Sequence, residues 1–159
     1  MIHIRMIEQP EDKTSITLHV MHALPAWFSP PEDIDQKAIL HKDYPFFVAY
    51  QEESPIGFVA LKIHNPYTAE IFNMGVLEAH HRQGAGRLLI AAAEQYCYRN
   101  GYQVLTVKTL DSSADYEPYD RTRAFYTIMG FIPLEIFTTY WNAENPCLFL
   151  AKWLDITHE

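Results

Sequence analysis

A short segment with two glycines is the part of this sequence best suited to binding a charged ligand. It consists of His81, Arg82, Gln83, Gly84, Ala85 and Gly86, and Arg87 follows it. A glycine-rich turn at the start of a helix leaves several backbone N–H groups without acceptors, and the helix dipole adds positive potential there. Glycine also removes side chains where a ligand would approach the backbone, and Arg82 and Arg87 add charge. The segment therefore predicts a site for phosphate or pyrophosphate, with a plain tight turn as the alternative.

Other motifs for phosphate, metal or acyl chemistry are absent from the sequence. There is no G-x-x-x-x-G-K-[ST] loop, and Leu89 stands where G-x-G-x-x-G requires its third glycine. His80 and His81 are adjacent but come without an H-E-x-x-H motif or a Cys/His set, so we expect no metal site. No G-x-S-x-G nucleophile is present. Cys97 and Cys147 fit apolar helix and strand patterns, which predicts small buried side chains.

The residues around the glycine segment predict a strand, a helix and a second strand in succession. Residues 69–77 have a strand pattern and precede the segment. Over residues 84–100 the apolar side chains recur at three- and four-residue spacing, and Gly101 follows as a helix stop. Residues 104–110 again have a strand pattern. This order implies two parallel strands joined by a right-handed crossover.

The remaining patterns complete an α/β fold. Strands are predicted at residues 2–8, 46–51, 56–63, 132–139 and 147–153. Helices are predicted at 14–24, with Thr14 or Ser15 as the cap, at about 29–41, where Ser29 and Glu32 form a capping box, and at about 121–129. Together these elements predict a single domain, residues 1–159, with a mixed, mainly antiparallel central sheet flanked by helices.

Composition and charge narrow the class of protein. The 159 residues suit one domain, and 48% hydrophobic with 20% charged residues is an ordinary globular balance. The formal net charge of −8 argues against a nucleic-acid partner, which would require clustered Lys and Arg. No segment approaches the roughly 20 apolar residues of a membrane span, and no signal peptide is recognisable. We therefore expect a cytoplasmic protein with no membrane partner.

Residues 76–89 (VLEAHHRQGAGRLL) resemble the hallmark of a known family. The segment is similar to motif A of the GNAT superfamily of acyl-CoA N-acyltransferases, whose pattern is V-x-P-x-x-[R/Q]-x-x-G-x-[G/A]. Glu78 and His81 depart from it, because Pro and Arg or Gln are usual at those positions. The matching residues are Val76, Gly84 and Gly86.

A second segment, residues 124–131 (AFYTIMGF), looks like the other hallmark of the family, which contains F-Y-x-x-x-G-F. Upstream of it Tyr119 and Thr122 replace the frequent Asn and Ala. The order of predicted strands and helices is also that of the family, so the resemblance covers nearly the whole chain.

The resemblance implies an acetyl-CoA-dependent N-acetyltransferase that uses no metal. Residues 81–87 would bind the pyrophosphate, and the backbone N–H groups of Met74 and Val76 would bind the pantetheine arm and the thioester carbonyl. Tyr126 would be the acid that protonates the departing thiolate, because a phenol is protonated at pH 7. Core packing is the alternative role for Tyr126. Without a recognisable acyl-enzyme nucleophile, we expect a primary amine to attack acetyl-CoA directly.

The group that deprotonates the amine is left open by the sequence. Glu70 precedes motif A with the spacing of the catalytic carboxylate in the histone-acetylating branch of the superfamily, and a solvated strand position is its alternative. Ordered water is a second option. The other candidates for proton relay or cation recognition are His64, Tyr67, Asp115, Tyr116 and Glu117.

The acceptor is not specified by any motif. In the family, the first two helices and the loop between the last two strands wall the acceptor site. Here they contain Trp27, Phe28, Glu32, Asp33, Tyr140 and Trp141. Aromatic faces and acids suit a cation, which favours a small-molecule or peptide amine. A non-catalytic acyl-CoA-binding sensor or interaction module is the alternative function, and exposed strand edges near the C-terminus would permit a homodimer.

Overall fold

One sheet runs through the centre of the molecule. The computed structural model describes residues 1–155, so positions 156–159 of the predicted domain lie outside the described residues. The strands of the described chain are β1 (Ile2–Met6), β2 (Phe46–Gln51), β3 (Ser54–Asn65), β4 (Thr68–Val76), β5 (Val104–Leu110), β6 (Ile132–Asn142) and β7 (Asn145–Trp153). Their order across the sheet is β1-β2-β3-β4-β5-β7-β6.

Helices cover both faces of this sheet. They are α1 (Pro10–His22), α2 (Pro31–Leu40), α3 (Ala85–Asn100) and α4 (Pro118–Ile128). One apolar cluster joins α1 and α2 to β2 and β3. A second, larger cluster joins α3 and α4 to the opposite face, so the sheet separates two cores.

The pairing of the strands is mainly antiparallel. β1, β2, β3 and β4 form an antiparallel meander, and β7 pairs antiparallel with both β5 and β6. β4 and β5 are parallel and are connected through α3. The predicted fold class and the predicted parallel pair are therefore confirmed.

Helix α3 forms as its amphipathic pattern predicts. It begins after Gly84 and ends before Gly101, and both glycines have left-handed backbone conformations, with φ of 92° and 80°. Its apolar side packs on the sheet through Ala85, Leu89, Ile90, Ala93 and Cys97. Because the helix is fixed against the sheet along this side, its N-terminus is held at a defined place near the end of β4.

The predicted start of the first helix was wrong. The helix begins at Pro10 rather than Thr14, and neither Thr14 nor Ser15 caps it. Thr14 is an interior residue whose hydroxyl donates to the carbonyl of Pro10 at 3.1 Å. The first turn contains Pro, Glu and Asp, which favour a helix start but contribute nothing to an apolar pattern. A prediction based on apolar spacing therefore began one turn late.

The predicted capping box before α2 was also wrong. Pro30 occupies the N-cap position, and the cap has no side-chain hydrogen bond, so Ser29 lies one residue too early to cap the helix. Helix α4 likewise starts earlier than predicted, at Pro118, which occupies the first turn.

Candidate functional site

The candidate functional site is an opening in the sheet between β4 and β5. The two strands pair only from Thr68 with Val104 to Ile71 with Val107, although both continue beyond these residues. The register of β3 and β4 shifts just after this point, which makes Phe72 the extra residue of a β-bulge. A bulge bends its strand and increases the local twist. The bulge therefore turns the second half of β4 away from β5.

The backbone of β4 presents hydrogen-bonding groups to this opening. Leu77 donates its N–H to the carbonyl of Ile56 on the β3 side at 2.8 Å. Because successive amides of a strand point to alternate sides, the N–H groups of Val76 and Met74 point toward the opening. The carbonyl of Val76 points there too and accepts a 2.7 Å hydrogen bond from Nε2 of His81. His81 thus anchors the turn to the end of β4.

The predicted anion-binding turn follows β4 after a short 3-10 helix, Glu78–His80. Arg82 and Gly84 have positive φ values of 65° and 92°, which turn the chain sharply into α3. The first hydrogen bond of the helix runs from the N–H of Leu88 to the carbonyl of Gly84. The N–H groups of residues 85–87 consequently have no acceptor within the described chain, and no side chain caps the helix. Three unpaired donors at the N-terminus of a helix of 16 residues fit a phosphate group.

The two glycines of the turn have different roles. A Cβ at Gly84 would meet no atom within 4 Å, so this side of the turn is open to a ligand. A Cβ at Gly86 would lie 3.1 Å from the ring of Phe125 and 3.5 Å from Cε of Met74. The expectation that the missing side chain of Gly86 leaves space for a ligand is therefore wrong, because Phe125 and Met74 already occupy that space. Its absent side chain allows α3 to approach α4 closely, while its N–H is still unpaired.

The charged and polar side chains of the turn are exposed. Neither Arg82 nor Arg87 forms an ion pair with any residue between 1 and 155. Gln83 instead folds back onto the turn, donating weakly to the carbonyl of Ala79 at 3.5 Å. Both arginines can therefore turn toward an anion at the start of α3.

A buried hydroxyl without a partner lies on the β5 side of the opening. The side chain of Thr109 is 3% exposed, and its oxygen has no hydrogen-bond partner in the described chain. Leu105 and Val107 face the α3 side of the sheet, and Thr109 follows them in the same alternation. An orphaned hydroxyl costs about 1–3 kcal/mol. The hydroxyl is therefore free to bond to a polar ligand atom.

Tyr126 lies on the α3 side of the sheet, in helix α4. The side chain is 6% exposed and packs edge-on against Phe125 and Phe131. Its hydroxyl has no hydrogen-bond partner among residues 1–155. Burial, with a further contribution from Tyr119, raises the pKa of Tyr126 well above its ordinary value. The phenol therefore stays protonated at neutral pH and is available as a proton donor.

Two loops are tied together at the start of α4. The indole N–H of Trp27 donates to the carbonyl of Pro118 at 2.9 Å, and the hydroxyl of Tyr119 donates to the carbonyl of Trp27 at 2.6 Å. Tyr116 adds a 2.8 Å bond to the carbonyl of Ala26. Burial raises the pKa of Tyr119 to about 12, so this donor persists across the neutral range. The links fix the beginning of the helix that carries the candidate acid.

Glu70 lies on the opposite face of the sheet. Its neighbours Ala69 and Ile71 belong to the α3-side cluster, so the intervening side chain points to the other face. There it is buried, with Oε1 2.6 Å from Nε2 of His64 and Oε2 2.8 Å from Nζ of Lys108. The alternative of a solvated strand position is wrong, because the carboxylate is 6% exposed and both its oxygens have partners.

The ammonium of Lys108 is held among aromatic rings as well as by Glu70. Its Nζ lies 5.1 Å from the ring centre of Tyr140 and 5.5 Å from that of Phe149. Burial alone lowers the pKa of Lys108, but the hydrogen bond and charge of Glu70 outweigh it and raise the pKa overall. Lys108 is therefore a permanent cation beside the carboxylate.

A buried histidine behind β4 was not found from the sequence. His41 is fully buried, with Nδ1 2.8 Å from the hydroxyl of Thr17 and Nε2 2.8 Å from the amide nitrogen of Asn73. Because the amide of Asn73 donates, Nε2 is the acceptor and Nδ1 carries the proton. Burial, with Lys37 and Lys13 nearby, lowers the pKa of His41 to about 3. This neutral ring fixes Asn73, which lies between the bulge and Met74.

The cysteines are buried, as predicted. Burial raises the pKa of Cys97 to about 12 and that of Cys147 to about 11. Neither thiol is therefore an available nucleophile at neutral pH.

Among residues 1–155 no three His, Cys, Asp or Glu side chains converge to hold a metal ion. None of the helices in the described range is long and apolar enough to cross a membrane.

Comparison with known proteins gives a family match. A family model described as the acetyltransferase (GNAT) family matches residues 11–131. An uncharacterized N-acetyltransferase of Chlorobaculum tepidum is 37% identical over 90 residues, which are 57% of this chain and 51% of that protein. The match therefore spans about half the length of this relative.

Solved structures of similar proteins have the same fold. The ribosomal-protein-S18-alanine N-acetyltransferase of Escherichia coli superimposes with a TM-score of 0.76 at 19% identity, covering 100% of this chain and 97% of that one. A GNAT family acetyltransferase of Elizabethkingia anophelis, solved with acetyl-CoA bound, gives 0.69 at 21% identity, with 96% and 98% covered. At these identities the likeness shows the fold.

Proposed function

Because this chain belongs to the acetyltransferase (GNAT) family, we propose that it moves an acetyl group from acetyl-CoA to a primary amine by direct attack of the amine on the thioester. The observation that carries this proposal is the opening between β4 and β5, which ends at the N-terminus of α3. An acyl-CoA would use three features of this region: the anion site at α3, the unpaired edge of β4 and the phenol of Tyr126.

The donor site is proposed from groups that lack partners. The unpaired N–H groups of residues 85–87, with Arg82 and Arg87, would bind the pyrophosphate. The inward N–H groups of Met74 and Val76 would bind the pantetheine arm and the thioester carbonyl. The hydroxyl of Thr109 would contact the same arm from the β5 side.

Tyr126 is proposed as the acid. When the C–S bond of the thioester breaks, the thiolate takes a proton from the phenol, and the attacking nitrogen loses one to restore the phenol through solvent. Its raised pKa keeps the phenol protonated across the neutral range. The position of Tyr126 on the α3 side of the sheet leaves the opposite side for the approaching amine.

Direct transfer is favoured over an acyl-enzyme intermediate. A covalent route through sulfur needs a thiolate at working pH. Both thiols are buried, and their pKa values are raised to about 12 for Cys97 and about 11 for Cys147. Acetyl transfer should therefore survive replacement of either cysteine.

The carboxylate of Glu70 is proposed to serve proton removal from the amine, through water or a neighbouring group. Both of its oxygens are already engaged, by His64 and Lys108. A proton placed on Glu70 itself would break one of these contacts. Glu70 therefore acts more easily as part of a relay than as a lone base.

The acceptor is proposed to be a small-molecule or peptide amine, and the protein is proposed to act in the cytoplasm. Support for the acceptor comes from the aromatic surroundings of the α1 and α2 face, where Tyr44, Phe72 and Tyr140 lie. The homodimer stays a prediction. Strand β6 is an edge of the sheet and exposes Ile132, Leu134 and Ile136 by 48–57%, and light scattering in solution would test association through it.

The test is release of free thiol from acetyl-CoA across a panel of primary amines: peptides with free N-termini, lysine peptides, polyamines and aminoglycosides. We expect at least one amine to be turned over, and Tyr126→Phe to slow that turnover. Binding of coenzyme A without turnover of any amine would indicate the non-catalytic sensor instead. Absence of both binding and turnover would refute the proposed function.

A further inference from the structure

We propose that His64 takes up the proton of the acceptor amine and that Glu70 is a positioning residue that orients it. The contact that carries this inference joins Nε2 of His64 to Oε1 of Glu70 over 2.6 Å. The inference rests on the proposed acetyl transfer and assigns the base that this transfer requires.

The protonation state of the ring follows from its partner. The carboxylate of Glu70 can only accept, so Nε2 of His64 donates its proton and Nδ1 carries a free lone pair. Nδ1 has no hydrogen-bond partner among residues 1–155. The side chain of His64 is 35% exposed, whereas that of Glu70 is 6% exposed. Of the two groups, the imidazole is the one a solvated amine can reach.

Lys108 fixes the carboxylate of Glu70 in place, so that Glu70 can orient His64. Its ammonium donates to Oε2 at 2.8 Å in a mostly buried site. A proton on Glu70 would leave the buried ammonium without its counter-charge, which is costly. A proton on His64 instead creates an imidazolium beside a fixed carboxylate, and this attraction stabilises it. The order Lys108, Glu70, His64 therefore directs the proton to the outermost group.

Glu70 stands at the closed end of the opening, and His64 lies beyond it, beside the turn that joins β3 to β4. Glu70 lies opposite Thr106, one step before the last paired residues of β4 and β5, Ile71 and Val107. Its side chain projects to the face covered by α1 and α2, whereas Tyr126 lies on the α3 face. Proton removal from the amine and proton delivery to sulfur thus take place from opposite sides of the sheet.

The resulting reaction balances in atoms and charge. Nδ1 of His64 accepts one proton from the ammonium, directly or through water, and leaves a neutral amine. The amine nitrogen bonds to the acyl carbon, the C–S bond breaks, and the phenol of Tyr126 protonates the sulfur. A second proton of the nitrogen restores the phenol. An ammonium and a thioester become an amide, a thiol and one proton, which His64 releases to solvent.

Three other ionisable groups lie close to Glu70. Lys62 lies across from Glu70 on β3, and Tyr44 and Cys147 are close enough to sense its charge. Burial raises the pKa of Tyr44 and raises that of Cys147 to about 11, so both stay neutral. Of these groups, His64 is the one that carries a free lone pair, on Nδ1, for the proton of an amine.

The test uses the full chain, acetyl-CoA and the amine that the unmodified protein turns over fastest. His64→Ala is measured with and without added free imidazole. His22→Ala is the matched control, because His22 also contacts a carboxylate, that of Asp35 at 3.1 Å, but on the exposed surface of α1 and α2. His64→Gln keeps an N–H donor for Glu70 but has no group that can accept a proton from the amine. This variant therefore distinguishes loss of proton transfer from loss of folding.

We expect His64→Ala to lower kcat about 100-fold, with little change in the KM for acetyl-CoA. Added imidazole should raise the kcat of this variant by at least about tenfold. His64→Gln should keep its thermal stability and lose kcat to the same extent, while His22→Ala should match the unmodified protein with or without imidazole. Unchanged kcat in a folded His64 variant, or a loss that imidazole does not reverse, would overturn the assignment. An unmodified protein that transfers no acetyl group would instead refute the function itself.

Discussion

The buried imidazole of His41 should make the free energy of unfolding depend on pH. The substitution His41→Gln should remove this dependence. The pKa of the imidazole is lowered from 6.5 to about 3 in the folded chain. As pH falls below 6.5 the unfolded chain binds a proton there, while the folded chain does not. The stabilisation is therefore complete above pH 6.5 and is lost progressively as pH falls toward 3.

The size of the effect follows from this difference. Each pH unit below 6.5 costs up to about 1.4 kcal/mol, and integration from pH 7 to pH 5 gives about 2 kcal/mol. His41→Gln cannot titrate but retains groups that can bond to Thr17 and Asn73. It should be less stable than the unmodified protein at pH 7, and this deficit should shrink by about 2 kcal/mol at pH 5.

Urea unfolding at pH 7, 6 and 5, followed by tryptophan fluorescence, measures the deficit. The other seven of the 8 histidines are common to both proteins, so their titration cancels in the difference. An NMR titration of the unmodified protein gives an independent check, because the His41 ring should stay neutral at pH 5. A deficit that is the same at pH 7 and pH 5, or an imidazolium signal at pH 5, would refute the reasoning.

Three further predictions concern the opening in the sheet. Tyr126→Phe should lower kcat about 100-fold or more and leave the KM for acetyl-CoA nearly unchanged, because it removes only the proton donor. A kcat equal to that of the unmodified protein would exclude the acid role. Thr109→Val removes a buried hydroxyl that has no partner, so urea unfolding should show the free protein stabilised by about 1–3 kcal/mol. The same change removes the proposed contact with coenzyme A, so calorimetry should show weaker binding. Unchanged affinity would show that the hydroxyl does not contact the ligand. Gly84→Ala should cost about 1–2 kcal/mol of stability, because φ is 92° in open space; a neutral result would mean that the turn adapts.

Local patterns were sufficient to predict most of the secondary structure. Apolar spacing identified α3, and the two glycines at its ends gave its limits because each adopts a positive φ. The start of α1 was missed because Pro10 and the acids after it carry no apolar pattern. To predict such a helix start, the proline and the acidic residues must be considered as well as the apolar spacing.

The contacts that define the chemistry of the site were beyond sequence reasoning. The spacing of Glu70 made it a candidate base, but its bond to Lys108 joins residues 38 positions apart. The His41–Asn73 bond spans 32 positions, and the Trp27–Pro118 bond spans 91. Such pairs depend on which strands become neighbours and where β4 bulges. Only the contact between His64 and Glu70 could have been predicted from the sequence, because the two residues flank the short turn between β3 and β4.

The most direct test of the central claim is to follow the acetyl group itself. The protein is incubated with acetyl-CoA that carries a deuterated acetyl group and with the amine panel, and products are identified by mass spectrometry alongside the thiol released. The proposed function predicts one labelled acetyl group on an amine nitrogen for each coenzyme A released, in an amount that depends on Tyr126. Coenzyme A released without a labelled amide, or no consumption of acetyl-CoA with any amine, would contradict it.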